Sequence, residues 1–394
     1  MKFEFTKRIL PCLTIVLVAA FASNIFAQAV VYKAGTIHTM AGEPLTPGQI
    51  LVEDGKIKAI GKSVKSGNAK TVDLGDDAVI MPGLIDAYSQ AAFYNGGSAD
   101  EITNEVTPNF KAVHSIDWSS RTLRRVLENG TTTVNACPGT QNVVAGISAI
   151  VKTDGSQESV MNDDAVMLAS LCNDPASRNR SRSRPDSIYV RQPTNRMGVV
   201  WILRNTFQKT TKAGDDSELT NLKQVLDGKR KLMMVSRMSY DLNTIGSLTD
   251  EFDFSPIIVG GHEAYKIKSI LAERKFPVIL QSNPAGTTTG REGSELCWNN
   301  AGVLHQAGIT VALSGSNLLA EAQFAHRHGL DRDVALAAVT STPAKMLGIE
   351  QQVGTLEANK DADLIVLNGD PLEFTTSIRW VMVNGKTIGQ KKDK

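Results

Sequence analysis

Six histidines, His38, His114, His262, His305, His326 and His328, are the whole supply of imidazole in this chain of 394 residues. Only His326-Arg-His328 has the i, i+2 spacing with which side chains on one face of a strand can grip a metal ion. It follows Leu319-Ala-Glu-Ala-Gln-Phe324, which reads as helix, and on a helix residues two apart do not share a face. The pair therefore reads as a solvated helix end. His38 lies among strand-like residues, and His114 and His305 lie within or beside helical stretches, so structural roles are expected for all three. His262 is different: it follows Val259-Gly-Gly at a strand end, ahead of a helical run. There an imidazole can reach a substrate or cap the helix. Lys152, in Ile150-Val-Lys-Thr153, also closes a strand, where it can hold an anionic ligand or sit in a structural ion pair. Leu313-Ser-Gly-Ser-Asn317 contains no G-x-S-x-G nucleophile elbow. The turn-rich residues 283–295, readable as a lid or mouth loop, lack the Gly-Lys-Ser/Thr ending of a phosphate loop.

Alternating strands and helices must position these groups. Leu123-Arg-Arg-Val-Leu-Glu128 reads as helix, Asn129-Gly130 as its C-cap and Thr131-Thr-Thr-Val-Asn135 as the next strand. Pro256-Ile-Ile-Val259, Phe276-Pro-Val-Ile-Leu-Gln281 and Ile309-Thr-Val-Ala-Leu313 are further strands. Residues 263–271 and 333–339 read as helices, and Thr342-Pro343 as the start of another with proline at its first position. The chain ends differ from this middle part. Asp54-Gly55 and Asn384-Gly385 each sit between strand-like runs and suit the positive-φ positions of a type I′ hairpin turn. The predicted fold class is α/β: a (β/α)8 TIM-like barrel inserted in a small β-sandwich domain built from both chain ends. Residues 30–82 and 348–394 form the β domain and 83–347 the barrel, close to the roughly 250 residues such barrels use.

Composition narrows the classes of partner. Forty-two basic side chains against 41 acidic ones give a net charge of +1, so no global field draws nucleic acid. Arg178, Arg180, Arg182 and Arg184, alternating with Asn and Ser, read as a solvated loop. Lys2, Lys7 and Arg8 precede an apolar run at residues 13–22, and Ala27-Gln-Ala29 follows with the small-x-small pattern of a cleavage site. Residues 1–29 are therefore expected to be a signal peptide cleaved near Ala29, giving a periplasmic or secreted protein with no stable membrane anchor. Cys137, Cys172 and Cys297 would remain, an odd number that allows at most one disulfide.

Met81-Pro-Gly-Leu-Ile-Asp-Ala and the C-terminal run from Thr340-Ser-Thr-Pro to Asn368-Gly-Asp-Pro resemble amidohydrolases of the imidazolonepropionase-like branch. Asn104-Glu-Val-Thr-Pro108, the run from Gly130-Thr-Thr-Thr-Val to Ile150-Val-Lys-Thr153 and Pro193-Thr-Asn-Arg-Met-Gly198 resemble an exported subgroup. The resemblance implies a metal-assisted hydrolase of carbon–nitrogen bonds other than ordinary peptide bonds, or of small peptides. It also implies where the metal ligands belong. Tyr88 and Gln90 stand where the family has a His-x-His pair, Ser236 and Gly260 or Gly261 where it has two later histidines, and Gly315 where it has an aspartate. Lys152 falls where a carboxylated lysine is expected. Amide, phenol and hydroxyl groups are poor ligands for a divalent transition metal, and catalytic zinc normally has three protein ligands. No metal ligand set is therefore assigned, and no cofactor is expected unless the family chemistry persists with zinc or another divalent metal. Lys152 and His262 are the candidate catalytic groups, with Tyr88, Gln90, Ser236 and Ser314 lining a pocket at the ends of the strands. Two readings stand: an exported hydrolase with a degenerate metal site, or an inactive pseudo-hydrolase that binds a small molecule or a partner protein. A homo-oligomer is left open.

Overall fold

Two hairpins with left-handed turns bring the ends of the chain together. Gly48–Glu53 and Lys56–Gly61 pair antiparallel across Asp54-Gly55, with φ of 51° and 76°. Ile378–Val383 and Lys386–Ile388 pair across Asn384-Gly385, with φ of 49° and 74°. Both are the positive angles that a two-residue type I′ turn requires. The turns touch: a Cβ on Gly385 would stand 2.8 Å from Gly55 Cα. A five-stranded sheet runs in the order Lys386–Ile388, Ile378–Val383, Leu364–Leu367, Val79–Pro82, Thr36–Ile37, so the first and last parts of the chain share it. A second sheet holds four N-terminal strands, among them Val30–Ala34 and Lys70–Asp73. Ile37, Ile50, Ile57, Ile80, Leu364 and Met382 from the two sheets are buried in one cluster.

The computed structural model describes residues 29–177, 192–214, 217–280 and 297–388. Residues 1–28 of the expected signal peptide, the arginines at 178–184 and the loop at 283–295 lie outside the described residues. No helix among the described residues is long and apolar enough to cross a membrane.

Between the β segments the chain alternates strand and helix. Parallel pairing joins Leu84–Ser89 to Thr131–Ala136, and joins Met167–Ser170, Leu232–Ser236, Pro256–Gly260, Val278–Leu280 and Val311–Leu313 in that order. These parallel strands are buried on both faces, as helix-flanked sheets require. Met233, Val235, Ile257, Val259, Ile279 and Ala312 join Ile85 and Ile150 in one cluster. Their strand neighbours Met234, Ile258, Val278, Leu280, Val311 and Leu313 pack with the helices in another.

The eight-stranded expectation needs correction in its detail. Between the β segments, among the described residues, seven strands pair in parallel and lie in two sheets. Val144–Ile147 and Ala149–Lys152 run antiparallel to their neighbours, one in each sheet. Two local expectations also change. Residues 263–271 are not one helix, because a 3-10 turn at Ala264–Ile267 precedes Lys268–Glu273. Pro343 is the third residue of Ser341–Leu347 and not the first. The helix Leu318–Arg327 ends at the histidine pair as expected, but the two rings are half-buried and not simply solvated: His326 Nδ1 lies 2.9 Å from Leu330 O, and the His328 ring packs on Phe324.

Candidate functional site

The carboxyl ends of the parallel strands converge on one patch of polar side chains, the place where ligands bind in α/β sheets. Tyr88 comes from the end of Leu84–Ser89. Cys137 follows Thr131–Ala136, and its amide donates to Ser89 O at 2.9 Å. Cys172 and Asp174 follow Met167–Ser170, Arg237 follows Leu232–Ser236, His262 follows Pro256–Gly260 and Ser314 follows Val311–Leu313.

An ion pair occupies this patch. Arg237 Nη1 and Nη2 donate to the two carboxylate oxygens of Asp174 at 3.0 and 2.8 Å, the bidentate arrangement a guanidinium favours. Thr140 Oγ1 donates to Asp174 at 2.6 Å. Burial works to raise the Asp174 carboxyl, but the bonds from Arg237 and Thr140 outweigh it and hold the group below its ordinary range. His262 stands close enough to Arg237 to feel its charge. Burial, then that cation, lowers the imidazole to about 4, so it is neutral at ordinary pH. Its turn is fixed by Asn300 Nδ2, which donates to Gly261 O and His262 O at 3.0 and 3.3 Å. The neighbouring Glu263 is engaged elsewhere: it accepts from Ser239 N and Oγ at the start of Ser239–Phe252, and from Lys266. Neither the turn Ala264–Ile267 nor the helix Lys268–Glu273, which follow His262, has a side-chain cap, so His262 does not cap the helix ahead of it.

Tyr88 is held by a chain of hydrogen bonds that reaches a buried acid. Its carbonyl accepts from Ser314 Oγ at 2.7 Å, and its amide donates to Asp86 Oδ1 at 3.2 Å. Asp86 is 3% exposed. Burial raises its carboxyl to about 7 against hydrogen bonds with Ser314, Tyr88 and Ser89. With Ser314's hydrogen directed at Tyr88 O, a protonated Asp86 can donate to Ser314 Oγ and complete the chain. The Tyr88 phenol is kept well above its ordinary range, first by burial and then by the adjacent thiols Cys137 and Cys172. It is a neutral donor at any physiological pH. Ser236 and Ser170 end their strands with buried hydroxyls that have no hydrogen-bond partner among the described residues.

Lys152 does not belong to this group, and its expected place at the strand mouth is corrected. Ala149–Lys152 runs antiparallel to Thr131–Ala136, which sets Lys152 opposite Thr133, toward the amino ends of the parallel strands. The ammonium donates to Asp361, Asp363 and Asn384 at 2.6, 2.8 and 2.8 Å, and its side chain is 3% exposed. Asp363 O accepts from Gly83 N, five residues before Tyr88. At the rise of a strand that separation is about 16 Å. Of the two readings open for this lysine, the structural ion pair is the one observed. Gln90 O accepts from Phe93 N in the turn that leaves the site.

A catalytic metal does not fit the residues that gather here. Among the described residues, no group of three His, Cys, Asp or Glu could hold one. The thiol of Cys137 is pushed up by burial and by Asp86, Tyr88 stays protonated, and the Arg237 guanidinium brings a positive charge to the place a cation would need.

An amidohydrolase family model matches residues 312–388. Amidohydrolase tasK of Hapsidospora irregularis is 23% identical across 86% of this chain and 39% of that protein. The chain thus spans about two fifths of the length of that relative. Among solved structures, an amidohydrolase from Thermotoga maritima MSB8 superposes with a TM-score of 0.81 at 27% identity, over 92% of this chain and 100% of that one. Molinate hydrolase superposes with a TM-score of 0.56 at 16% identity, over 92% and 94%.

Proposed function

This chain belongs to the amidohydrolase superfamily, and from that premise we propose that it binds a small molecule at the carboxyl ends of its strands without metal-assisted hydrolysis. The Arg237–Asp174 pair carries the reading. A metal centre makes a nucleophile by lowering the pKa of a bound water. A guanidinium paired with a carboxylate, flanked by a phenol and a neutral imidazole, supplies hydrogen bonds and charge but no comparable activation. Such groups fix the orientation of a ligand in a pocket. Hydrolysis with His262 handling protons directly is the weaker alternative, because an imidazole lowered to about 4 is a poor base at neutral pH.

Within the same proposal, the two central sheets are one modified (β/α)8-type barrel. The buried cluster they share and the bond from Ser314 to Tyr88 support this. The basic residues, short apolar run and Ala27-Gln-Ala29 support export with cleavage near Ala29. An amide and dipeptide hydrolysis screen of the mature protein, with and without added zinc, tests the function. The expected rate stays at the buffer rate in both arms. Zinc-dependent turnover ~100-fold or more above buffer would overturn the proposal.

A further inference from the structure

A cavity lies away from the strand mouth, where the helix Arg121–Glu128 and residues 153–155 face the strands Ile378–Val383 and Lys386–Ile388. Its volume is about 910 Å³, within the range of small-molecule sites, which favour junctions between structural units. The walls are aromatic and aliphatic: Trp118, Leu127 and Ile378 line it together with Trp380. The rim is basic. Arg124 lines the cavity, and Arg121, Arg124 and Arg125 line an adjoining hollow with Ser119 and Glu128. Among the described residues none of these three arginines has a carboxylate within ion-pairing distance, although the whole chain is nearly balanced in charge. Across the cavity Arg379 is anchored by a bond from Nη1 to Leu74 O at 2.8 Å. Two acids also line the cavity: Glu128 is outnumbered at the rim by the three arginines, and Asp154 is already used, since its carboxylate accepts from Ser156 N and Ser159 Oγ.

We propose that this cavity binds a small amphiphilic anion, its apolar body against Trp118, Leu127, Ile378 and Trp380 and its anionic head toward Arg121 and Arg124. The site is separate from the strand-mouth site and does not depend on the reading given there. Apolar walls alone would accept any hydrophobe; the cluster of unpaired guanidinium groups selects a carboxylate or similar head.

Calorimetric titration of the mature protein with dodecanoate and with dodecanol, both below micelle-forming concentrations, tests the proposal. Dodecanoate is expected to bind at least ~10-fold more tightly than dodecanol, and Trp118 and Trp380 emission should shift on binding. The variant Arg121→Glu/Arg124→Glu should lose ~10-fold or more of the dodecanoate affinity while keeping its melting temperature, and Arg121→Lys/Arg124→Lys should keep most of it. Equal affinity for the two probes overturns the proposal. So does a charge-reversed variant that binds as the parent does, or no dodecanoate binding at all.

Discussion

Replacing Lys152 with methionine is expected to lower the stability of the folded chain by about 3–5 kcal/mol, the cost of leaving buried carboxylates without their counter-charge. The side chains of Lys152 and Asp363 are each 3% exposed, and that of Asp361 is 10% exposed. Asp363 Oδ1 also accepts from Asn384 N at 2.8 Å, and Asp361 takes a second ammonium from Lys56. One lysine therefore ties a central strand to the turn of the C-terminal hairpin and to the segment that leads into Leu364–Leu367. Burial pushes the Asp363 carboxyl upward, so it would respond to the loss of Lys152 by taking up a proton. The double variant Lys152→Met/Asp363→Leu should recover much of the loss, because exchanging a buried ion pair for apolar groups is often close to neutral. Denaturant midpoints of the parent, single and double variants give the comparison. A single-variant loss below ~1 kcal/mol, as exposed pairs show, would mean that the cluster holds nothing together.

The second large effect is a pH dependence of opposite sign at two groups in the site. Asp86 is raised from 3.8 to about 7 in the folded chain. Below 3.8 it is protonated whether the chain is folded or not. As pH rises toward 7 the unfolded chain ionises and the folded chain does not, so stability is lost across that window. The loss is on the order of 4 kcal/mol. His262, lowered from 6.5 to about 4, acts the other way: stability is lost as pH falls from 6.5 toward 4. The two partly cancel in the parent protein. Asparagine at 86 can accept from Tyr88 N and donate to Ser314 Oγ, so Asp86→Asn removes the titration and keeps the bonds. Its stability relative to the parent should rise by roughly 3–4 kcal/mol between pH 4 and pH 8. A difference that stays constant across this range would mean that Asp86 is ionised in the fold.

The parts of the fold that depend on local chemistry were legible in the residues. Asp54-Gly55 and Asn384-Gly385 announce their turns because few other pairs tolerate positive φ twice. Asn129-Gly130 ends the helix Arg121–Glu128, with Gly130 at φ 86°. Strand direction was not legible, and that is where the reading of Lys152 failed. Ile150-Val-Lys152 has the same apolar character whether the strand runs parallel or antiparallel, and reversal moves its end to the other side of the sheet. In the site, attention to positions that lack histidine singled out Ser236 and passed over its neighbour Arg237. Asp174 was missed because its partner lies 63 residues away. Asp86 read only as part of a strand, since a raised pKa comes from enclosure and leaves no mark in sequence.

Metal content is the most direct test of the central claim that the strand-mouth site works without a catalytic metal. The protein, purified from zinc-supplemented cells and exchanged into chelator-free buffer, would be assayed by elemental analysis and then titrated with zinc in a calorimeter. The expected content is far below one metal per chain, with no binding tighter than ~10 μM, because Tyr88, Gln90, Ser236 and the Arg237–Asp174 pair offer no tetrahedral donor set. One or two tightly held metals per chain, lost on replacing His262 or Asp174, would contradict it.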